Sequence, residues 1–338
     1  MIVVGGEALV DLVPAAGRPG AGTVVPGSGG VALLPRLGGG PFNVAVALGR
    51  LGAPVGLLSR LSTDAFGEAQ LRRLAESAVD TALVQRGPEP TALALATLAT
   101  DGSARYAFYT AGTATVGFAD PGPLPAQVLA VSLGSLGLLL EPGAAGYQAV
   151  LHREAAAGRL VALDPNVRPE LITDAEAYRA RFRSWLPSVG LLKLSVEDGW
   201  WLAGASGPAP AVAGAADPAS AVVATELSSA VAQWLAAGPR AVVLTSGAGG
   251  LTVFGAAGVS VSVPAVPVAV VDTIGAGDTV QAALLARLHA IGGLDLESVD
   301  EAGWRDVLGF AARAAAVTCS RPGADPPWAA ELRAHGRM

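Results

Sequence analysis

The sequence has 338 residues, enough for one large α/β domain with an extensive hydrophobic core. Half of the residues are apolar (51%), and the net charge of −6 argues against a nucleic-acid-binding or anionic-membrane-binding protein. The single cysteine, Cys319, excludes an internal disulfide and a cysteine-based metal cluster, and three scattered histidines do not indicate a histidine metal site.

Two long apolar stretches raise the question of a membrane segment. Residues 128–140 are too few to span a bilayer, and residues 241–271 carry no charge but are interrupted by glycines and prolines. Residues 1–7 lack the basic region of a signal peptide. We therefore expect a cytoplasmic protein without a transmembrane helix and without membrane or nucleic-acid partners.

The first third of the chain combines apolar strands with glycine-rich turns. Residues 2–6 predict a buried strand, residues 8–13 extend it, and the Gly- and Pro-rich residues 14–30 predict an irregular or β-hairpin excursion. A glycine-rich turn at 37–43 precedes a helix predicted over 44–51. The chain thus predicts an early strand, an excursion from it and a helix that begins at a flexible turn.

The next residues predict a small second sheet. A turn and buried strand at 52–61 and a helix at 64–78 are followed by β-rich runs at 91–100 and 104–110, which flank Asp101-Gly102. Asp-Gly is a strong hairpin signal. Together with the early excursion, this hairpin predicts a small sheet that stands off the main body, with its strands within residues 10–36 and 91–112.

From residue 128 onward, short apolar strands alternate with helices. Strands are predicted at 128–133, 160–163, 191–194 and 241–245, and helices at 146–157, 175–185, 220–237, 278–291 and 301–318. Residues 204–218 predict a loop insertion. Repeated strand–helix units indicate an α/β protein, with a central, mostly parallel sheet between two helical layers. We interpret residues 1–338 as a single domain with a small β-sheet lid.

The most informative stretch is a glycine-rich turn between a strand predicted over 266–271 and the helix that follows. Gly275 and Gly277 allow the backbone to turn tightly and to approach a ligand closely. The N–H groups at the start of the following helix converge on one point, with the positive end of the helix dipole behind them. This arrangement predicts a site for a phosphate or for a phosphoryl group in transfer.

Asp278, at the start of this helix, has two interpretations. Aspartate is a preferred N-cap residue, and taken alone the residue favours that structural role. A carboxylate beside an anion site can also accept the proton of a hydroxyl that attacks phosphorus. A cap needs neither the Gly-x-Gly turn nor a second acid at Asp272, so the context shifts the balance toward a catalytic base.

Two motifs carry a resemblance to a known family. Residues 272–278 match Asp-Thr-x-Gly-Ala-Gly-Asp at every fixed position, and residues 38–45 match Gly-Gly-x-x-x-Asn-x-Ala at the start of a helix. The chain resembles the ribokinase-like, or phosphofructokinase-B, family of carbohydrate kinases, closest to its fructokinase-like members. Residues 6–11, 164–169 and 245–250 are also similar to family segments. The resemblance covers nearly the whole chain and implies the ribokinase-like fold.

The resemblance implies a role for each residue of a site that uses ATP, Mg²⁺ and K⁺. Phosphoryl transfer would use Asp278 as the base and the amides of Gly275, Ala276 and Gly277. Sugar would be bound by Asp11, Gly38, Gly39, Asn43 and Arg168. Nucleotide would be bound by Lys193, Ser195, Thr245, Gly247 and Gly250. Mg²⁺ would be held through water by Asp198, and a monovalent cation by Asp272 and the carbonyl of Ile274.

Several of these positions also have a purely structural interpretation. Residues 38–40 form a flexible turn on this view, and Asp11 is a solvated strand end. Arg168 pairs with Asp164 or Glu170 at the surface, where ion pairs are weak. Residues 245–250 form a plain hairpin turn. The co-occurrence of these motifs favours the functional interpretation.

The sequence departs from the family pattern at three places. Ser195 and Asp198 stand where many members have Asn and Glu, so Mg²⁺ would be held by a shorter acid. Ala312 replaces an Asn expected near the adenine. Thr110 follows the aromatic pair Phe108-Tyr109 of the lid where fructokinase-like members often have Arg, which removes one charged substrate contact.

The resulting prediction is an ATP-dependent kinase that phosphorylates a primary hydroxyl of a ketose, with fructose as the first choice. A 2-keto-3-deoxygluconate kinase is the alternative, because Arg168 could meet a carboxylate. A sugar-binding regulatory protein without activity is the non-enzyme alternative. A dehydrogenase is disfavoured, because no Gly-x-Gly-x-x-Gly follows an early strand. An apolar outer face on the lid predicts a homodimer.

Overall fold

The computed structural model describes residues 1–14, 32–98, 104–205, 218–255 and 258–335. In this part of the chain the strands are β1 (Ile2–Gly5), β2 (Leu9–Pro14), β3 (Leu33–Gly38), β4 (Val55–Ser62), β5 (Val79–Asp80), β6 (Val84–Gly87), β7 (Ala92–Leu98), β8 (Ala104–Tyr109), β9 (Ala130–Gly134), β10 (Leu160–Asp164), β11 (Leu191–Ser195), β12 (Ala241–Thr245), β13 (Leu251–Gly255) and β14 (Ser260–Val263). The α-helices are α1 (Gly40–Arg50), α2 (Ala65–Glu76), α3 (Gly143–Ala156), α4 (Ala175–Trp185), α5 (Val196–Leu202), α6 (Pro218–Ala237), α7 (Ala276–Ala290), α8 (Glu301–Cys319) and α9 (Ala329–His335).

The larger sheet has the strand order β14-β13-β12-β11-β10-β9-β1-β4-β5, and β6 pairs with β4. Pairing is parallel from β12 across to β5 and β6, and β13 and β14 add an antiparallel edge. Parallel strands that are covered on both faces read as continuous apolar runs, and the buried strands β1, β9 and β12 have this character. Their carboxyl ends share one edge of the sheet.

Helices cover both faces of this sheet. Val4 of β1 belongs to one apolar cluster, which also contains buried residues of α1, α7 and α8. Val3 points to the opposite face and belongs to a second cluster, built with α3, α4, α5 and α6. Successive strand residues point to opposite faces, so each central strand contributes to both cores. The predicted three-layer α/β/α architecture is confirmed.

The smaller sheet is separate and has the order β3-β2-β7-β8. β2 pairs antiparallel with β3 and parallel with β7, and β7 pairs antiparallel with β8. Its own apolar cluster contains the buried residues Leu9, Ala92, Ala94 and Leu136. The predicted excursion at 14–30 lies almost wholly outside the described residues, as do Asp101, Gly102 and most of the loop predicted at 204–218.

Element boundaries follow the sequence patterns closely where caps and breakers are clear. α4 and β12 occupy residues 175–185 and 241–245, as predicted. α1 begins at Gly40, four residues before the predicted start, because Pro41 is compatible with the first helical turn. Among the described residues, no helix combines the length and the apolar character that crossing a bilayer requires.

The strand predicted over residues 266–271 is wrong. β14 ends at Val263, and the following residues form no strand. Pro264 and Pro267 cannot donate to a strand ladder, and Val271 is 61% exposed. The N–H group of Val271 instead bonds to the carbonyl of Cys319 at the end of α8. The glycine-rich turn is therefore held by the last long helix and not by a sheet.

Candidate active site

A cleft of about 500 Å³ opens at the carboxyl ends of the main-sheet strands, facing the small sheet. In parallel α/β sheets this edge is where ligands bind. β1, β9, β10 and β11 deliver the main-body residues of the cleft, together with the starts of α1 and α7, and the small sheet contributes Leu9, Asp11, Tyr106 and Phe108. The two halves of the chain that carry the sequence motifs thus meet in one cavity.

The glycine-rich turn forms the N-terminus of α7. Gly275 is the N-cap, in the left-handed conformation with φ of +76°. A Cβ atom on Gly275 would also lie 2.6 Å from the Cβ of Ala324, so glycine is required by both conformation and space. The N–H group of Ala276 bonds to the carbonyl of Thr273 at 3.2 Å, which tightens the turn. The predicted anion site therefore lies at the start of a long helix, as expected.

Asp278 is not an N-cap. It lies in the first turn of α7, and no side chain caps this helix. Its Oδ2 accepts a hydrogen bond of 2.8 Å from Nδ2 of Asn43 on α1, which joins the two sequence motifs directly. Burial raises the pKa of Asp278 to about 6, the Asn43 hydrogen bond lowers it, and Asp164 raises it further. The carboxyl group is thus ionised at neutral pH and close to the ideal range for a general base.

Asp11 brings a second carboxyl group to the cleft from β2. Burial and the negative charge of Asp278 raise the pKa of Asp11 to about 6, and Arg168 opposes this shift. A Cβ atom on Gly38 would lie 2.2 Å from Oδ2 of Asp11, and one on Gly39 would lie 2.7 Å from the carbonyl of Glu7. Glycine is therefore required at 39, which also has a φ of +105°, whereas a larger side chain at 38 would displace the carboxyl group of Asp11. This is a built pocket wall and not a solvated strand end.

Arg168 does not form the surface ion pair of the structural interpretation. Its Nη1 donates to the Oδ1 of Asn166 at 2.7 Å and to two backbone carbonyls, and no ion pair involves it in the described part of the chain. Asn166 itself has a φ of +43°, a strained value for a residue other than glycine. The guanidinium group is thus held at the cleft with its charge uncompensated by contact.

Lys193 and Asp164 form a buried ion pair beside the start of α7. Nζ of Lys193 lies 2.7 Å from Oδ2 of Asp164. Burial lowers the pKa of Lys193, but the attraction of Asp164 outweighs this and the net shift is upward. A Cβ atom on Gly277 would lie 3.1 Å from Nζ of Lys193, so the ammonium group faces the anion site. Lys193 therefore adds a permanent positive charge to the backbone donors of the turn.

Asp198 lies next to this pair, in the first turn of α5. Ser195 caps α5, and Oδ1 of Asp198 accepts the N–H group of Val167 at 3.0 Å. Burial and the charge of Asp164 raise the pKa of Asp198 to about 6, and Lys193 lowers it. Oδ1 of Asp164 is buried without a hydrogen-bond partner among the described residues. Two carboxyl groups with free oxygen lone pairs thus lie side by side at this edge.

The remaining predicted nucleotide residues lie further along the same edge. Ser195 and Thr245 are paired neighbours at the ends of β11 and β12. Gly247 and Gly250 have positive φ values of 51° and 92° in the link between β12 and β13. These residues do not line the 500 Å³ cleft. The link is a hairpin connection, and its position continues the edge that carries Ser195.

Asp272 joins the turn to the segment after α8. Its Oδ1 accepts the N–H group of Ile274 at 3.0 Å, and its Oδ2 accepts that of Gly323 at 2.8 Å. The carboxylate therefore holds two loops together and keeps lone pairs on both oxygens. The predicted cation ligands Asp272 and Ile274 are brought together by this arrangement. Ala312 is buried within α8 and offers no polar contact.

Sequence reasoning gave no role to several residues that line the cleft, among them Glu7, Asn166 and Tyr106. Glu7 and Asn166 were read only as parts of longer motifs, although an acid within a buried apolar run is itself a signal. On β8, Tyr106 and Phe108 stack with ring centroids 6.1 Å apart and face the cleft. Because strand residues alternate, Tyr109 points away and is 58% exposed. The aromatic pair of the lid is thus Tyr106 and Phe108, not Phe108 and Tyr109.

Comparisons with known proteins agree with this geometry. The model of the pfkB family of carbohydrate kinases matches residues 1–331. A fructokinase of Rhizobium leguminosarum bv. trifolii is 37% identical over 290 residues, which cover 85% of this chain and 79% of that protein. A fructokinase of Klebsiella pneumoniae is 31% identical over 290 residues, covering 85% and 84%. The structure of a fructokinase from Xylella fastidiosa with bound ATP superposes with a TM-score of 0.81 at 26% identity, covering 100% of this chain and 99% of that one. The chain belongs to the pfkB family of carbohydrate kinases and is a sugar kinase.

Proposed function

We propose that the protein is a fructokinase, which transfers the γ-phosphoryl group of ATP to the primary hydroxyl of fructose. The position of Asp278 carries the proposal. Its Oδ2 accepts a hydrogen bond from Asn43, and its carboxylate lines the cleft beside the start of α7. Relatives named fructokinase and a fructokinase structure with bound ATP support the substrate pair.

The chemistry follows from the residues in place. The hydroxyl donates to Asp278, its proton passes to the carboxylate, and its oxygen forms a bond to the γ-phosphorus. The bond from that phosphorus to the β,γ-bridging oxygen breaks, and ADP leaves. The amides of Gly275 and Gly277 and the ammonium group of Lys193 neutralise the charge that develops on the phosphoryl oxygens. The predicted donor Ala276 already donates its N–H group to the carbonyl of Thr273. Proximity and orientation in the cleft supply the rest of the acceleration.

The charge of the cleft favours a neutral ketose over a sugar acid. Its lining contains four carboxyl groups, those of Glu7, Asp11, Glu170 and Asp278, against two cations, Arg168 and Lys193. Lys193 is already paired with Asp164. A 2-keto-3-deoxy acid would place its carboxylate in this acidic pocket with Arg168 as its only free partner. A ketose presents hydroxyl groups, which carboxylates, amides and aromatic rings can bind without a charge penalty.

We also propose that the enzyme uses Mg²⁺ and K⁺. No group of three or more acidic, His or Cys side chains forms a metal cage in the described ranges. Mg²⁺ is commonly held by one or two carboxylates, waters and substrate phosphates, and the free lone pairs of Asp164 and Asp198 fit that role. Bound with ATP, Mg²⁺ would offset phosphate charge. K⁺ would be bound by Asp272, which the N–H groups of Ile274 and Gly323 hold in place, and by the carbonyl of Ile274.

The small sheet is proposed as a lid and as a dimer surface. Lid closure over the cleft would exclude water from the transfer step. Leu33 and Tyr109 are exposed on the face of this sheet opposite Asp11, and pairing with a second copy would bury them. Light scattering that shows a monomer at micromolar concentration would remove the dimer from the proposal. Use of ATP implies a cytoplasmic location.

The decisive experiment is coupled ADP release with ATP, Mg²⁺ and K⁺ against fructose, 2-keto-3-deoxygluconate, ribose, tagatose and adenosine. We expect fructose to give the highest kcat/KM, and Asp278→Asn to lower kcat by about 10³-fold or more, because the base is lost. Asp174→Asn, at the exposed N-cap of α4, is the matched control and keeps wild-type kcat.

Two outcomes would contradict the proposal. Turnover that Asp278→Asn leaves intact would show that another group is the base. Sugar binding by calorimetry without turnover on any of the five substrates would favour the regulatory, non-catalytic alternative. Turnover on 2-keto-3-deoxygluconate above that on fructose would replace the substrate but retain the enzyme class.

A further inference from the structure

Glu7 is a buried acid at the junction between the two sheets. It lies between β1 of the main sheet and β2 of the small sheet, and it is 2% exposed. Its Oε1 accepts the N–H group of Gly40 at 3.1 Å, and its Oε2 accepts that of Gly137 at 3.0 Å. A buried carboxylate is costly unless both oxygens are satisfied, and here two backbone donors from different segments satisfy it.

These two hydrogen bonds join the two connections that flank strands β2 and β3 of the small sheet to the main body. The chain enters this sheet through residues 6–8 and returns to the main body through residues 38–40. Glu7 lies in the first connection, and Gly40 ends the second and begins α1. Gly137 belongs to the turn after β9. One side chain therefore ties two of the four connections between the small sheet and the main body to the turn after β9.

The start of α1 leads directly to the base. Asn43 lies three residues after Gly40, on the same side of the helix. Its amide donates to Oδ2 of Asp278 at 2.8 Å. A Cβ atom on Gly40 would lie 3.5 Å from Oδ1 of Asp278 and 3.5 Å from Oε1 of Glu7, so only a glycine backbone separates the two carboxyl groups. A shift of α1 at Gly40 would move Asn43 away from the base.

We propose that Glu7 is a positioning residue for phosphoryl transfer: it holds the start of α1 so that Asn43 keeps Asp278 oriented toward the sugar hydroxyl. This rests on Asp278 being the base. Glu7 touches neither reacting atom, and it acts through Asn43. Burial raises the pKa of Glu7 to about 7, with Ser135, Gly137 and Gly40 opposing the shift.

The test compares Glu7→Gln with Glu154→Gln. Glutamine has the size of glutamate but offers one acceptor oxygen, so its NH₂ group would face one of the two backbone donors. Glu154 on α3 is a matched control, because it is 1% exposed, contacts the N–H group of Leu124 and pairs with Arg153 and Arg159 far from the cleft. Both variants lose a buried carboxylate.

We expect Glu7→Gln to lower kcat about 10- to 100-fold, because a displacement of the order of 1 Å near the chemistry has that effect. KM for ATP should change less than about twofold, because the predicted nucleotide residues lie at the ends of β11 and β12 and not on α1. Glu154→Gln should keep kcat within about twofold, because Glu154 contacts neither α1 nor the cleft. In an Asn43→Ala background, Glu7→Gln should lower kcat by less than about threefold, because residues that act in series are not additive. Glu7→Asp, one methylene shorter, should also lower kcat.

A second readout does not depend on activity. In ¹H–¹⁵N spectra, the side-chain amide signal of Asn43 should shift in Glu7→Gln and stay in place in Glu154→Gln. An unmoved Asn43 signal, equal kcat losses in the two Gln variants, or losses that multiply in the double variant would overturn the role of Glu7. Failure of the proposed base would appear separately, as wild-type turnover in Asp278→Asn. If Glu7→Gln does not fold, Glu7→Asp gives the same comparison.

Discussion

The main sheet is covered by packed residues on both faces, whereas the small sheet is packed on one face only. Both sheets contribute residues to the cleft. Lys193 and Asn43 are buried on β11 and α1, which contribute residues to the two large apolar clusters. The small sheet has a cluster of four fully buried residues, and Phe108 is partly exposed. Segments with few buried contacts open at lower free energy. The comparison teaches that Asp278, the proposed base, lies in the more densely packed region, whereas Asp11, Tyr106 and Phe108 line the cleft from the region with fewer buried contacts.

The largest effect should come from breaking the main-body core far from the cleft. Phe182 of α4 is 0% exposed and packs edge-on against Trp234 at 5.8 Å. Phe182→Ala should lower the free energy of unfolding by about 3–5 kcal/mol, measured by urea titration. Phe108→Ala in the small sheet is the counterpart and should cost less than about 1 kcal/mol. Equal costs would contradict the difference between the two regions.

A smaller effect should separate binding from chemistry. Asp11→Asn keeps the size of the side chain on β2 but removes its charge and two acceptor sites for sugar hydroxyls. We expect KM for fructose to rise about 10- to 100-fold, equivalent to about 1.4–2.8 kcal/mol, with kcat lowered less than KM is raised. Initial-rate kinetics measure both constants. A kcat loss as large as that in Asp278→Asn would place Asp11 with the chemistry instead.

The smallest effect concerns pH. Because burial raises the pKa of Asp278 to about 6, the base is protonated below that pH and ionised above it. kcat/KM should rise about tenfold per pH unit on the acid side and level off above about pH 7. The Asn43 hydrogen bond lowers this pKa, so Asn43→Ala should move the acid limb to higher pH. An acid limb that stays in place in Asn43→Ala would show that another group controls it.

Much of the architecture was predictable, because local patterns and tertiary packing agree there. Helix α4 has a cap at Asp174 and apolar residues on one face, and strand β12 is a short apolar run, so both were located to the residue. Residues 266–271 have an equally apolar pattern and form no strand. Two prolines, together with the hydrogen bond from Val271 to Cys319 at the end of α8, prevent this segment from pairing as a strand. The hydrogen bond joins distant parts of the chain, so local patterns do not predict it.

The residues of the candidate site also divide into those that the sequence predicted and those that only the structure identified. Gly275, Asp278 and Asn43 were recognisable because each lies in a local motif whose spacing has a chemical reason. Glu7 and the orientation of Tyr106 were not recognisable, since their roles depend on which segments face them.

The sequence by itself determined the fold class and the glycine turn and predicted Asp278 as the base, because backbone conformation and helix dipoles act within a few residues. Only the tertiary structure decided that Asn43 orients Asp278, that Lys193 is paired with Asp164, and that Glu7 joins the hinge to α1. Hydrogen bonds and ion pairs between distant segments are set by the packing of helices on the sheet.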